Sequence, residues 1–194
     1  MGDPRKKRKK YETPRHPWRK DQIDVELRLI GEYGLRNKRE LWRYKTMLSQ
    51  IRGIARSLLA KGESERVKAE KEYLQKLSRI GVLPGEASID DVLDLDIKGL
   101  LERRLQTIVY RGGLSRSVHQ ARQLISHGHI AIGNRVVSIP SYLVQKAEEP
   151  AIKYSPHSAL SKVDHPVRKA SVARAAGAAK ARRAPGEVEE EAAA

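Results

Sequence analysis

The spacing of the apolar residues changes once along this chain, at Gly128. Before it, Ile23, Leu27 and Ile30, then Leu41, Tyr44, Leu48, Ile51, Ala55 and Leu58, recur every three or four positions, the repeat of an amphipathic helix. After it, His129-Ile130-Ala131-Ile132 and Arg135-Val136-Val137 flank Gly133-Asn134, which is the signal of a β-hairpin. Helices first and one small sheet late define an α+β chain. With seven Tyr, two Trp and no Phe in 194 residues, its core must come mainly from Leu, Ile, Val and Ala.

Turn signals divide the helical part. Helices are expected over 21–33, stopped by Gly34, over 35–60, broken at Lys61-Gly62 and weakened at Gly53, and over 63–80. Glu63 and Glu65 suit the positive end of the third. Pro84-Gly85 turns the chain, and Ser88-Ile89-Asp90-Asp91 reads as a variant capping box opening a short helix to Leu95. One helix is expected from about 97 to 111, with Leu101, Leu105, Ile108 and Val109 inward and Gly112-Gly113 at its end. Ser115 or Ser117 caps the next, which runs to about His127 with Val118, Ala121, Leu124 and Ile125 inward. Pro140 with 142–144, and 151–154, suggest further extended pieces. The organisation expected is a basic extended arm (1–20), a helical domain (21–97), a module of two helices and a hairpin sheet (98–165) and a low-complexity charged tail (166–194).

Charge follows these divisions. The net charge is +15, which favours a polyanionic partner. The arm has nine basic and two acidic residues and the module ten and four, whereas 21–97 balances at fourteen each. Two nucleic-acid-facing parts and one scaffold fit that distribution. No apolar run is long enough to span a membrane, and the polybasic start lacks the apolar core of a signal peptide. The absence of Cys excludes disulfides, thiolate catalysis and Cys-based zinc sites. No catalytic set, cofactor loop or metal site is expected. Asp90, Asp91, Asp94 and Asp96 read as helix-dipole residues, and His127 and His129 either donate to phosphate or pack, rather than bind a metal.

RNA in A-form is recognised through phosphates, 2′-hydroxyls and shape, so its partner needs cations on fixed elements. Arg5, Lys6, Lys7, Arg8, Lys9 and Lys10 supply them on the arm. Arg103, Arg104, Arg111, Arg116 and Arg122 lie on or beside two short helices, where a planar guanidinium can meet phosphate with two parallel hydrogen bonds. Ser115 and Ser117, at the start of the second helix, add a phosphate site. His119 and Gln123 lie on its open side, and Arg135 extends the patch at the hairpin turn.

The runs Leu101-Glu102-Arg103-Arg104-Leu105-Gln106, Gly112-Gly113-Leu114-Ser115, Ala121-Arg122-Gln123-Leu124-Ile125 and 129–137 strongly resemble the small RNA-binding module named after the fourth small-subunit ribosomal protein. That module also occurs in some tRNA synthetases, pseudouridine synthases and heat-shock RNA-binding proteins. With the basic arm and a helical block carrying Trp42-Arg43-Tyr44, residues 1–165 resemble the ribosomal family itself, in an archaeal-type form without Cys. The resemblance implies a primary binder of small-subunit rRNA, in the cytoplasm, that nucleates assembly of the subunit body. It also implies neighbours among the small-subunit proteins, notably the fifth, and a place near the mRNA entry path that influences translational accuracy. Two positions depart from the usual pattern: Gln106, where many copies have Asp, and Val118, where many have Arg. The rival readings are an enzyme with this module as an appendage, a DNA-binding helix-turn-helix over 98–127, and a ribosome-associated assembly or stress factor.

Overall fold

The structure is a computed structural model that describes residues 9–85, 87–162, 165, 166, 168 and 169. Arg5, Lys6, Lys7 and Arg8 of the arm, and nearly all of the tail, lie outside the described residues. The chain divides after Glu102 into two compact units.

The first unit is helical, with α1 (Lys20–Tyr33), α2 (Lys38–Leu59), α3 (Glu63–Ile80), α4 (Ile89–Asp94) and α5 (Ile97–Glu102). Gly34 stops α1 in the left-handed region (φ 58°), with its N–H returned to the Ile30 carbonyl. Asn37 starts α2 by accepting the Glu40 N–H on its side chain. Gly53, expected to weaken α2, sits inside an unbroken helix. The capping box before α4 is complete: Ser88 Oγ accepts from Asp91 N at 3.3 Å, and Asp91 Oδ2 accepts from Ser88 N at 2.7 Å. The Ser88 backbone N–H, then its hydroxyl, hold the Asp91 carboxyl below its usual range. A core of Ala55 and Leu58 from α2, Leu77 from α3, and Ile89 and Val92 from α4 closes this side, and α5 packs on α2.

At the other side of α2 a carboxylate is buried. Glu26 of α1 is 2% exposed and accepts hydrogen bonds from Lys45 Nζ (2.6 Å), Trp42 Nε1 (3.1 Å) and Gln22 Nε2 (3.2 Å). Lys38 Nζ stands 3.7 Å away. Leu29 and Tyr33 of α1 and Leu41 and Tyr44 of α2 are buried on these same helices. The sequence did not single out Glu26, which reads there as one more surface acid.

The second unit contains α6 (Leu105–Arg111), α7 (Val118–Ser126), β1 (Ile130–Ile132), β2 (Arg135–Val136) and β3 (Ile152–Tyr154), with 3-10 turns at Glu149–Ala151 and Ala159–Ser161. The antiparallel sheet has the order β2-β1-β3, with Ile132 opposite Arg135 and Ile130 opposite Tyr154. Gly133, at φ 60°, allows the hairpin turn. Leu105, Val109, Ala121, Leu124, Ile125, Ile130, Val144 and Tyr154 form the core between helices and sheet.

One expectation is corrected here. The single helix expected over 97–111 is two helices, α5 and α6, separated at Arg103-Arg104. The segment 140–144 takes over the backbone groups at the break. Val144 N donates to Arg103 O (3.0 Å), Leu105 N to Tyr142 O (2.8 Å) and Gln106 N to Pro140 O (3.3 Å), while Arg104 bridges Leu143 in antiparallel fashion. Long-range pairing replaces the helical bonds that an unbroken α-helix would make there.

The Glu26 cluster gives a pH signature. Burial raises the carboxyl's proton affinity, but the hydrogen bonds from Lys45 and Trp42 and the Lys45 charge outweigh it. The group is held below its usual 4.5. Its contribution to stability is therefore full above that value and is lost as pH falls through the lower folded value. Glu26→Gln is expected to lower the melting temperature at neutral pH and to flatten its fall between about pH 5 and pH 2, measured by thermal denaturation across that range.

Candidate nucleic-acid interface

The candidate interface centres on α7. Its inward stripe, Ala121, Leu124 and Ile125, is buried, which leaves His119 and Gln123 exposed on one side with Arg122 half-buried beside them. Arg116 and Ser117 are exposed just before the helix. Ser117 Oγ accepts the Gln120 N–H at 3.1 Å, and Gln120 Oε1 accepts the Arg116 N–H, so the entry to the helix is fixed from both sides. Ser115 is fully buried and donates its hydroxyl to the Ser117 carbonyl at 3.2 Å. The Tyr154 hydroxyl donates to the Leu114 carbonyl and ties this loop to β3. Arg111, in the last turn of α6, is exposed.

Arg135 is exposed on β2. It lies against Tyr142, whose hydroxyl donates to both oxygens of Glu148 (3.1 and 2.9 Å). Burial and then Glu148 push the Tyr142 phenol above its usual value, and Arg135 opposes them.

Two of the expected cations are placed differently. Arg104 is 0% exposed, so it does not lie on an open flank. As the residue before α6 and the bridge partner of Leu143, it is carried inward by the break in the helix. Arg103 braces the same corner: one guanidinium nitrogen meets Glu149 Oε2 at 2.8 Å and another donates to the Val144 carbonyl at 3.1 Å. The side chain is 13% exposed.

The two departures from the module's usual pattern meet. Gln106 is fully buried, and its Nε2 donates to the Val118 carbonyl at 3.1 Å. A carboxylate at 106 has no proton to give that carbonyl. The pair thus fastens α6 to the start of α7.

In the first unit, the described base of the arm is seated on α2. Glu12 N donates to Thr46 Oγ1 (3.0 Å), which in turn donates to the Trp42 carbonyl (2.9 Å). The Tyr11 and Trp42 rings stand 6.0 Å apart, and Lys9 Nζ lies 4.8 Å from the Tyr11 ring centre. Lys9, Lys10, Tyr11 and Arg43 line a groove of about 420 Å³ along α2. Arg43 was not among the cations expected at the interface, although the run Trp42-Arg43-Tyr44 marks its segment.

The His127 and His129 rings stack at 6.2 Å, and His129 Nδ1 lies 2.8 Å from Ser158 Oγ. Among the described residues no three His, Asp or Glu side chains converge as metal ligands, and no helix is long and apolar enough to cross a membrane.

Two helices packed on a small antiparallel sheet, with cations on and beside α7, make up this second unit, and its residues 103–149 match the S4 domain family model, which makes it an S4 domain. Residues 5–102 match the model of the ribosomal protein S4/S9 N-terminal domain. The chain is 54% identical to small ribosomal subunit protein uS4 of Hyperthermus butylicus, over 84% of this chain and 92% of that one. It is 45% identical to the protein of that name from Thermoplasma acidophilum, over 98% of each chain. With that of Ignicoccus hospitalis it shares 52% identity over 81% of this chain and 95% of the relative. The chain belongs to the small ribosomal subunit protein uS4 family.

The different placement of similar arginines is testable in the protein alone. Arg104→Ala is expected to destabilise by more than about 2 kcal/mol, as loss of a fully buried side chain does, while Arg116→Ala stays within about 0.5 kcal/mol. Urea denaturation followed by circular dichroism measures both, and equal midpoints for the two variants would refute the distinction.

Proposed function

We propose that this protein is a structural constituent of the small ribosomal subunit and binds the subunit's rRNA through a rigid basic face. The observation that carries this reading is the open side of α7. Arg116, Ser117, His119, Arg122 and Gln123 gather there, opposite the stripe that anchors the helix in the core. Arg111 and Arg135 are exposed on the same unit and add to its outward charge. Lys9 and Lys10 of the arm and Arg43 of α2 form a second contact region, and Arg5, Lys6, Lys7 and Arg8 precede it in the sequence as further phosphate contacts.

Such a face suits A-form RNA, whose deep major groove hides the bases and leaves phosphates, 2′-hydroxyls and junction shape to be read. The protein's work is charge neutralisation on a fixed template, and it makes and breaks no bond. As a primary binder it nucleates assembly of the subunit body. It sits beside the fifth small-subunit protein near the mRNA entry path, and so bears on translational accuracy in the cytoplasm. A ribosome-associated assembly or stress factor would need only the S4 domain; the match of residues 5–102 to a ribosomal N-terminal domain favours the structural role.

The test is binding of the full chain to small-subunit rRNA, large-subunit rRNA and duplex DNA across a salt series. Selective binding to small-subunit rRNA is expected. Its affinity should fall about a thousandfold from about 50 to 200 mM salt if about six phosphates are neutralised, by analogy with duplex DNA. Equal affinity for all three polyanions would overturn the ribosomal reading.

A further inference from the structure

The most exposed large apolar side chain among the described residues is Trp18, at 89%. Its backbone is not loose. Pro17 precedes it in a turn whose closing contact runs from Arg19 N to His16 O, at 3.5 Å. Arg19 is the residue before α1, which begins at Lys20. On the other side, Glu12 is fastened to Thr46 of α2. Trp18 therefore stands on a short strap held at both ends, with its indole presented to solvent.

The surroundings select what covers it. Arg15, His16, Arg19 and Lys20 are all exposed. Only a long contact of 3.9 Å links Arg19 to Asp21, between two largely exposed groups. An apolar partner surface would bury the three cations Arg15, Arg19 and Lys20 around the ring without a counter-charge, so it is a poor match. An unpaired nucleotide is a good one. Its base has a flat π-face that any large aromatic ring can take, and its phosphates need cations close by. The aliphatic residues exposed nearby on α1, Val25 and Leu27, have no such face.

We infer that Trp18 stacks on an unpaired base of the small-subunit rRNA while Arg15, Arg19 and Lys20 hold the adjoining phosphates. The inference rests on the rRNA-binding reading above and adds a base contact to a surface otherwise built for the backbone.

The test compares the full-length protein with Trp18→Phe, Trp18→Leu, Trp18→Ala and Arg19→Ala. Because the ring is exposed, all four variants are expected to melt with the parent. Against small-subunit rRNA, Trp18→Ala should bind about five- to a hundredfold more weakly, the range seen for loss of one stacked base. Trp18→Phe should keep most of the affinity, and Trp18→Leu should behave like Ala. Trp18→Ala should leave the slope of log affinity against log salt unchanged, whereas Arg19→Ala should reduce it by about one. RNA should quench the parent's tryptophan emission more than that of Trp18→Phe. If the parent binds rRNA selectively but Trp18→Ala binds equally well, stacking is overturned and the ribosomal reading stands. If Leu serves as well as Trp, the site takes an apolar partner and stacking is again overturned. Failure of the parent itself to select small-subunit rRNA removes both readings.

Discussion

Three backbone hydrogen bonds at the corner before α6 hold the second unit in its shape: Val144 N to Arg103 O, Leu105 N to Tyr142 O, and Gln106 N to Pro140 O. They give segment 140–144 the partners that buried backbone must have. They also fix where α6 begins, since its first N–H groups lack helical acceptors. From that corner the rest is fastened in turn. The Arg103 guanidinium ties it to Glu149 and Val144, Gln106 carries it to the start of α7, and Tyr154 anchors the intervening loop at Leu114. The Gln106 tie and the Ser117 cap fix where α7 starts, and with it the side that its buried stripe leaves open.

The break at this corner was not legible in the sequence, and the reason is physical. Leu101, Leu105 and Ile108 keep spacings of four and three across it, so the apolar pattern runs on through a place where the helix stops. The signals that were legible are local ones. Gly34 takes the left-handed conformation after α1, Ser88 and Ser117 cap as their positions suggest, and Gly133-Asn134 turns the hairpin. What fails is any feature set by residues far along the chain. Arg104 looks like one more outward cation until Leu143 pairs with it. Glu26 looks like a solvated acid until α2 brings Trp42, Lys45 and Lys38 around it. The arm, judged by composition, has nothing to bury, yet Tyr11 finds the Trp42 ring.

The same limit applies to charge. Residues 21–97 balance acids and bases, and that balance suggests a scaffold with little part in binding. Locally it divides into charges used inside and charges left outside. Lys45 and Lys38 face the buried carboxylate of Glu26, whereas Arg43, one residue from Trp42, lines the groove with Lys9 and Lys10. In the S4 domain the division runs the other way. Its cationic excess includes Arg103 and Arg104, both turned to the internal corner, so a count of basic residues overstates the outward face.

Inward and outward cations are nonetheless parts of one design. A flexible basic chain can neutralise phosphate, but it carries no geometry to select one RNA junction over another, because phosphate contacts supply affinity and position rather than sequence. Selection by shape requires that the distances between outward cations be fixed before the RNA arrives. Arg103 and Glu26 are each spent on an internal contact within their own unit: the first ties the corner before α6 to Glu149 and Val144, the second holds the indole on which Tyr11 and the base of the arm rest. Charges held in internal contacts in this way fix the elements from which the exposed cations of each unit project.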